Sequence, residues 1–162
     1  MQRYFECKIR YEKQITDTND KDCGKVKKIT ETYLVDALSY TEAEARIVKE
    51  MAQYIKGEYS ITGIKQAKYA EIFYKEDDLC ENWYACKIRI TLIDESRGAE
   101  KKVPQSLLVR AEGVDDAWKR LMEGMKSTMS DFEITAIGLS PILDYFRYTP
   151  DAEITRKIEL TD

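Results

Sequence analysis

The chain contains 162 residues, of which 43% are hydrophobic and 35% charged, and its formal net charge is −4. A chain of this length holds one domain or two very small ones and can bury a real core. The mixed-sign charge gives no general attraction to nucleic-acid phosphates or acidic membranes. No apolar run approaches the roughly 18 residues of a membrane span, and no basic leader precedes one, so we expect a cytoplasmic protein.

Histidine is absent from the sequence. Its absence removes the commonest general base near neutral pH, the commonest metal ligand, and both Ser-His and Cys-His nucleophile pairs. The cysteines, Cys7, Cys23, Cys80 and Cys86, form no C-x-x-C pair, which disfavours a zinc site and a disulfide framework. We therefore expect a non-enzymatic protein with no metal and no cofactor.

The first predicted elements form a hairpin near the start of the chain. In FECKIRY (residues 5–11) apolar residues alternate with charged ones, the period of two that is typical of a half-buried strand. The segment ITETYLVDA (residues 29–37) predicts a second strand. The polar, glycine-containing loop between them closes the hairpin.

A helix and two further strands follow the hairpin. Ser39 and Glu42 match a capping box, in which two side chains satisfy backbone N–H groups at the start of a helix. Apolar residues then recur at every fourth position, which predicts an amphipathic helix. They are Ala43, Ile47, Met51 and Ile55. The segments EYSITGI (residues 58–64) and AEIFY (residues 70–74) predict a third strand and a fourth.

The same order of elements recurs in the second half of the chain. The sequence Cys-Lys-Ile-Arg stands at residues 7–10 and again at residues 86–89, and ITAI (residues 134–137) matches ITGI (residues 61–64). A second set of apolar residues predicts a second helix. This set is Ala117, Leu121, Met125 and Met129. Segments whose spacing differs only at a polar loop are typical of two copies of one folded unit.

The repeats predict an α+β fold built from an internally duplicated β-β-α-β unit. Residues 1–78 and residues 79–148 are the expected copies, together one compact domain, and residues 149–162 are expected to form a polar C-terminal tail. We expect both helices to pack on one face of a single antiparallel sheet. The opposite face of that sheet would then be available for function.

The first strand of each copy places an aromatic ring, a lysine and an arginine on the face away from the helices. These candidate ligand-binding residues are Tyr4, Lys8, Arg10, Trp83, Lys87 and Arg89. Rings stack on bases and cations contact phosphates, so the pattern predicts a nucleotide-binding surface that occurs twice. The alternative is a solvated face whose cations pair with Glu6 and its neighbours. Because Glu6 would repel a phosphate and Ala85 would not, we expect the second copy to bind more strongly.

The strings YFECKIRYEK, YLVDALSYTEAEARI and KSTMSDFEI resemble a small family of uncharacterised proteins from gut Bacteroides-type bacteria, their phages and their mobile elements. The resemblance covers about residues 4–148 and brings no activity and no catalytic residue with it. It implies a short accessory gene of a phage or mobile element, acting in the host cytoplasm.

That context suits two tasks: binding nucleic acid during replication, or neutralising a host defence by sequestering a nucleotide immune signal. The acidic balance disfavours a phosphate-backbone binder, whose affinity is chiefly electrostatic. We therefore expect a binder that sequesters a phosphate-bearing nucleotide and forms a homo-oligomer through its sheet edges. A nucleic-acid-binding accessory protein of phage replication and a protein–protein adaptor remain the alternatives.

Overall fold

The computed structural model describes residues 3–75 and 79–148, which contain both strands and helices, as the predicted α+β class requires. The strands are β1 (Arg3–Gln14), β2 (Val26–Ala37), β3 (Tyr59–Ala67), β4 (Glu71–Phe73), β5 (Asn82–Asp94), β6 (Ala99–Ala111), β7 (Phe132–Leu139) and β8 (Ile142–Phe146). The helices are α1 (Tyr40–Tyr54) and α2 (Val114–Gly124), and a 3-10 turn, Met125–Ser127, follows α2. The tail predicted at residues 149–162 lies outside the described residues.

The strands form two four-stranded sheets, in the orders β3-β1-β2-β8 and β4-β6-β5-β7. The predicted single sheet is therefore wrong. A long antiparallel hairpin forms the centre of each sheet, β1 with β2 and β5 with β6. A third strand and a fourth occupy the two outer edges of each hairpin, so neither hairpin has an edge left on which to pair with the other.

The fourth strands are exchanged between the two halves of the chain. Strand β4 follows β3 in sequence but pairs parallel with β6, in the second sheet. Strand β8 follows β7 but lies beside β2, in the first sheet. The described residues accordingly divide into one unit of residues 3–67 and 144–148 and another of residues 68–75 and 79–143, whereas the sequence predicted a boundary between residues 78 and 79.

Each helix packs against its own sheet. The alternation predicted for the first strand is confirmed, because Phe5, Cys7 and Ile9 are fully buried. In the first unit the core consists of these residues with others from β2 and α1: Tyr33, Val35, Ala37, Ala43, Ile47 and Met51. The second core draws on β5, β6, α2 and the 3-10 turn that follows α2: Tyr84, Cys86, Ile88, Leu107, Val109, Ala111, Ala117, Leu121 and Met125.

Matching polar contacts hold the starts of the two helices. The N–H of Glu42 donates to Ser39 Oγ at 3.2 Å, which confirms the predicted cap, and the Glu42 carboxylate accepts from the Leu38 N–H at 3.0 Å. That backbone hydrogen bond, with a second contribution from Arg46, lowers the pKa of Glu42. At the start of α2 the Asp116 carboxylate makes the equivalent contacts: it accepts a hydrogen bond from the Glu112 N–H at 3.0 Å and forms an ion pair with Arg120.

Helix α2 is shorter than its sequence pattern predicted. It ends at Gly124, and the chain continues as a 3-10 turn and then as extended backbone at Thr128. Met125 stays buried, but Met129 is 100% exposed, so the prediction that Met129 packs on the sheet is wrong. The reason is geometric, because a spacing of four residues keeps side chains on one face only while the backbone stays α-helical.

The cysteines are all free thiols, and three of them, Cys7, Cys80 and Cys86, are buried. Burial raises the pKa of Cys7 to about 12 and that of Cys86 to about 11. A thiol with so high a pKa is protonated at neutral pH and is a poor nucleophile. Cys7 and Cys86 therefore serve as core residues.

Candidate functional site

The outer face of each sheet, which is the face away from the helix, carries the predicted cations. Lys8 and Arg10 on β1 are exposed, and so are Lys87 and Arg89 on β5. Each of these residues lies between buried or partly buried core positions on its strand, and alternation therefore directs it to the opposite face. The cations of the prediction are thus placed at the surface in both units.

The aromatic rings of the prediction are not placed in the same way. Trp83 is only 2% exposed, with the Arg110 guanidinium 5.6 Å from its ring centroid and the Tyr74 ring centroid at 6.2 Å. Tyr4 is half-buried, and its ring centroid lies 6.2 Å from that of Tyr145. The expectation that Trp83 offers an open ring face to a ligand is therefore wrong. Both rings lie near the first residue of their strand, and neighbouring rings, Tyr145 beside Tyr4 and Tyr74 beside Trp83, pack at that end.

A groove of about 610 Å³ lies on the outer face of the second sheet and contains Lys87 and Arg89. Two residues that the sequence reasoning missed, Lys68 and Tyr69, also line it. The other lining residues are Ala70, Ile88, Pro104, Gln105, Ser106 and Thr135. The groove thus brings together three cations, one aromatic side chain, and the hydroxyl and amide groups of its polar lining.

Strand pairing explains how the groove is built. Lys87 lies directly opposite Ser106 on β6 and Ala136 on β7, which are small neighbours that leave space around its side chain. The Ala70 N–H donates to the Ser106 carbonyl at 2.8 Å, and this bond attaches the segment that carries Lys68 to the edge of β6. The exchanged strand β4 begins directly after this segment.

A β-bulge at Thr135 interrupts the pairing of β7 with β5 beside the groove. The register shifts between Lys87 and Ile88, and the Thr135 hydroxyl donates to the Lys87 carbonyl at 3.1 Å. The first unit has the same feature, since β3 shifts register between Lys8 and Ile9 and Thr62 donates to the Lys8 carbonyl at 3.4 Å. Bulges commonly redirect a side chain near a functional site.

The outer face of the first unit differs from the groove in composition. Lys8 lies opposite Thr32 and Gly63, and Arg10 lies opposite Thr30 and Ser60. The segment that leads into the fourth strand of this sheet reads Ser-Pro before Ile142, so it supplies neither a lysine nor a tyrosine. The second unit therefore concentrates more of the recognition chemistry than the first.

A polar cluster at the end of the first core links two tyrosines to one carboxylate. The Tyr11 hydroxyl donates to Glu31 Oε1 at 2.7 Å and the Tyr33 hydroxyl donates to Oε2 at 2.6 Å. The Glu31 hydrogen bond, followed by burial, raises the pKa of Tyr11 to about 12. The pKa of Tyr33 is also raised, first by burial and then by Glu31.

This cluster predicts a loss of stability at alkaline pH. An unfolded tyrosine has a pKa of about 10, so the contribution of Tyr11 is complete below that pH and is lost as the pH rises towards 12. We expect the free energy of unfolding of Tyr11→Phe to fall less steeply than that of the wild type over this range. Urea unfolding at pH 9, 10 and 11 measures both slopes, and identical slopes would contradict the assignment.

The described residues offer no metal centre and no membrane-spanning helix. Within residues 3–75 and 79–148, no group of three or more histidine, cysteine, aspartate or glutamate side chains is placed to hold a metal ion. Neither helix of this part of the chain is long and apolar enough to cross a bilayer.

Comparison with known proteins places the chain in a family. No curated protein and no solved structure matches it. A family model described as a domain of unknown function, DUF4494, matches residues 3–148. The match spans every strand and helix described above. The chain therefore belongs to the DUF4494 family.

Proposed function

We propose that the chain binds a phosphate-bearing nucleotide, without chemical conversion, in the groove on the outer face of the second sheet. The observation that carries the proposal is the convergence of Lys68, Lys87 and Arg89 with the Tyr69 side chain on one groove. Cations supply charge-assisted hydrogen bonds to phosphate oxygens, and a tyrosine ring can stack on a base. The volume of about 610 Å³ lies within the range of small-molecule sites.

Local charge supports this proposal although the whole chain has a net charge of −4. Affinity for a small anion depends on the few cations that contact it, because salt at physiological strength screens exposed charges beyond about 8 Å. A protein that follows a nucleic-acid backbone needs an extended basic surface, which an acidic chain supplies less readily. A compact ligand therefore fits the groove better than a polymer does.

The biological setting that we propose is an accessory protein of a phage or mobile element of Bacteroides-type bacteria. In that setting the groove would sequester a nucleotide signal of host immunity, a task that needs affinity and no catalysis. The lack of histidine throughout the sequence supports a binding role, since the commonest acid–base catalyst is missing. We place this activity in the host cytoplasm.

Isothermal titration calorimetry of the full chain tests the proposal. The ligands are nucleoside mono- and triphosphates, cyclic mononucleotides and cyclic dinucleotides, with short duplex DNA and single-stranded RNA as comparison polymers. The proposal requires saturable binding of at least one nucleotide and loss of that binding in the Lys87→Ala/Arg89→Ala variant. Binding of duplex DNA alone, with affinity that falls steeply with salt, would favour the nucleic-acid-binding alternative.

We also propose that the chain arose by duplication of a β-β-α-β unit. Matched contacts support this origin: the Thr62 and Thr135 bulges, and the acidic residues Glu42 and Asp116 that hold the helix starts. Such contacts depend on side chains at equivalent positions and are not a requirement of the fold class. Descent of both units from one ancestor accounts for them together.

We further propose that the chain forms a homodimer, and that its interface is α2 and not the sheet edges that the sequence led us to expect. Val114, Trp118 and Met122 lie four residues apart along this helix, and the structure leaves them 55%, 49% and 37% exposed. The same stripe on a second copy is complementary to it, because two identical apolar helix faces can pack about a two-fold axis.

Sedimentation velocity tests this dimer. We expect wild-type protein to sediment as a dimer at micromolar concentration and Trp118→Ser to sediment as a monomer with unchanged circular dichroism. Val48→Ser, which alters an exposed apolar residue of α1, is the matched control and should remain dimeric. A monomeric wild-type protein would contradict the proposal.

A further inference from the structure

A second groove, of about 770 Å³, lies in the second unit and is lined by α2, the turn that follows it and the start of β7. The apolar part of this α2 groove includes Trp118 and Met122, two residues of the exposed stripe on α2, and also Met129. Met129 is fully exposed, so it adds apolar surface beyond the end of the helix. The surface available to the proposed dimer therefore extends from α2 to the start of β7.

Two opposite charges also line the α2 groove, Lys126 and Asp131. Both residues are exposed, and within the part of the chain that the structure describes neither side chain takes part in an ion pair. Backbone hydrogen bonds hold both positions. The Thr128 N–H donates to the Met125 carbonyl at 3.0 Å and closes the turn that carries Lys126, and the Thr91 N–H donates to the Asp131 carbonyl at 2.8 Å. A single copy thus leaves one cation and one anion unpaired at the same groove.

The first unit does not repeat this combination. Alignment of the two helices by their N-caps puts Glu44 in the place of Trp118 and Ala52 in the place of Lys126. Helix α1 nevertheless packs on its sheet as α2 does. The exposed ring and the cation of the second unit are therefore not needed for the helix to pack, and they remain available for a partner.

We infer that the partner on the α2 groove is a second copy of the chain, placed so that Lys126 of each copy pairs with Asp131 of the other. The inference rests on the proposed dimer through α2. A surface that carries one cation and one anion is complementary to itself, because a two-fold axis that passes midway between the two charges exchanges their positions and forms the pair twice. The apolar lining supplies the area that is buried, and the charge pairs fix how the copies are oriented.

Charge reversal tests this arrangement by sedimentation velocity. Lys126→Glu gives the α2 groove two negative charges, and Asp131→Lys gives it two positive charges. Each variant alone should dimerise at least about tenfold more weakly than the wild type, since both attractive contacts become repulsive. In an equimolar mixture, a heterodimer pairs the new glutamate with the new lysine and the unchanged Asp131 with the unchanged Lys126. The mixture should therefore dimerise with nearly the wild-type affinity.

The control variant is Lys101→Glu, which makes the same charge change at an exposed position of β6 that does not line the α2 groove. It should dimerise as the wild type does, and circular dichroism should show all three variants folded. The mixture also separates a loss of pairing from a loss of folding, because a misfolded variant does not regain dimerisation when the other variant is added.

The outcomes separate the inference from the dimer on which it rests. If the wild type is monomeric, the proposed dimer and the inference fail together. If the wild type is dimeric and either charge reversal leaves its dissociation constant unchanged, the charge pairing is wrong and the dimer through α2 stands. The pairing is also wrong if the mixture stays as weakly associated as the separate variants, or if Lys101→Glu weakens the dimer as much as Lys126→Glu does.

Discussion

Replacement of Arg89 by alanine is expected to weaken nucleotide binding by about 1.5 to 3 kcal/mol, the range for a hydrogen bond to a charged group. This corresponds to a loss of affinity of roughly 10- to 150-fold. Lys87→Ala should have a similar effect, because the two side chains line the same groove. Titration calorimetry with the tightest nucleotide of the panel measures both losses.

The first unit supplies the matched controls for these variants. Lys8 and Arg10 occupy the equivalent positions on β1 and are also exposed, but the segment leading into the fourth strand of their sheet lacks a counterpart of Lys68 and Tyr69. We therefore expect Lys8→Ala and Arg10→Ala to weaken binding less than the variants of the second unit. Equal losses in both units would show that the groove is not the principal site.

Stability should change little in all four variants. Exposed cations on a sheet contribute at most about 1 kcal/mol to folding, and Arg89 forms only a screened ion pair with Glu133. A fall of more than a few degrees in the thermal midpoint would show that the cations are structural partners and would remove them from the binding site. Thermal unfolding is therefore measured beside each titration.

Local patterns in the sequence were sufficient to predict the hairpins and the start of α1. FECKIRY alternates between apolar and charged residues, and its Phe5, Cys7 and Ile9 are the buried residues of β1. Ser39 was recognisable as a cap because a capping side chain acts on a backbone group only three residues away. Features decided within one strand or one turn are accessible to sequence reasoning.

The pairing of the fourth strands was not predictable in the same way. Strand β4 has three residues, which is too few to show a period or to indicate which neighbour it will choose. Its position follows from tertiary packing, since Phe73 packs against the second core. The sequence offered one usable signal for these strands, namely that Phe73 follows β3 and Phe146 follows β7 at similar distances along the chain. Phe146 packs against the first core.

For a related reason, only the part of the groove that β5 supplies could be predicted from the sequence. Alternation along β5 was enough to place Lys87 and Arg89 on the outer face. Lys68 and Tyr69 lie in a segment without periodicity, and only the pairing of Ala70 with Ser106 brings them to the groove. The exposure of Trp83 was predicted wrongly, because alternation identifies the face of a strand on which a side chain lies but not how much of that face the rest of the fold covers.

Replacement of Gly124 by alanine is expected to lower the free energy of unfolding by about 1 to 3 kcal/mol, the cost of overpacking a core. A Cβ at this position would lie 2.8 Å from two ring carbons of Phe73, closer than atoms in real structures approach. Gly124 has φ −64° and ψ −29°, a helical backbone that alanine adopts readily. Backbone propensity alone would therefore make the substitution stabilising by up to about 1 kcal/mol, and a loss can arise only from the contact with Phe73.

Two further variants make the Gly124→Ala result specific to the exchanged strand. Gly138→Ala alters a glycine of β7 whose added Cβ would meet nothing within 4 Å, and it should leave stability unchanged or raise it slightly. In a Phe73→Leu background the branched side chain has no ring to meet the new methyl group, so Gly124→Ala should cost less than it does in the wild type. Urea unfolding of the four proteins that make up the double-mutant cycle gives the coupling energy, which we expect to exceed about 0.5 kcal/mol, as for residues in contact. If Gly124→Ala is neutral or stabilising in the wild type, the Phe73 ring moves aside at little cost and the expected loss of stability is wrong.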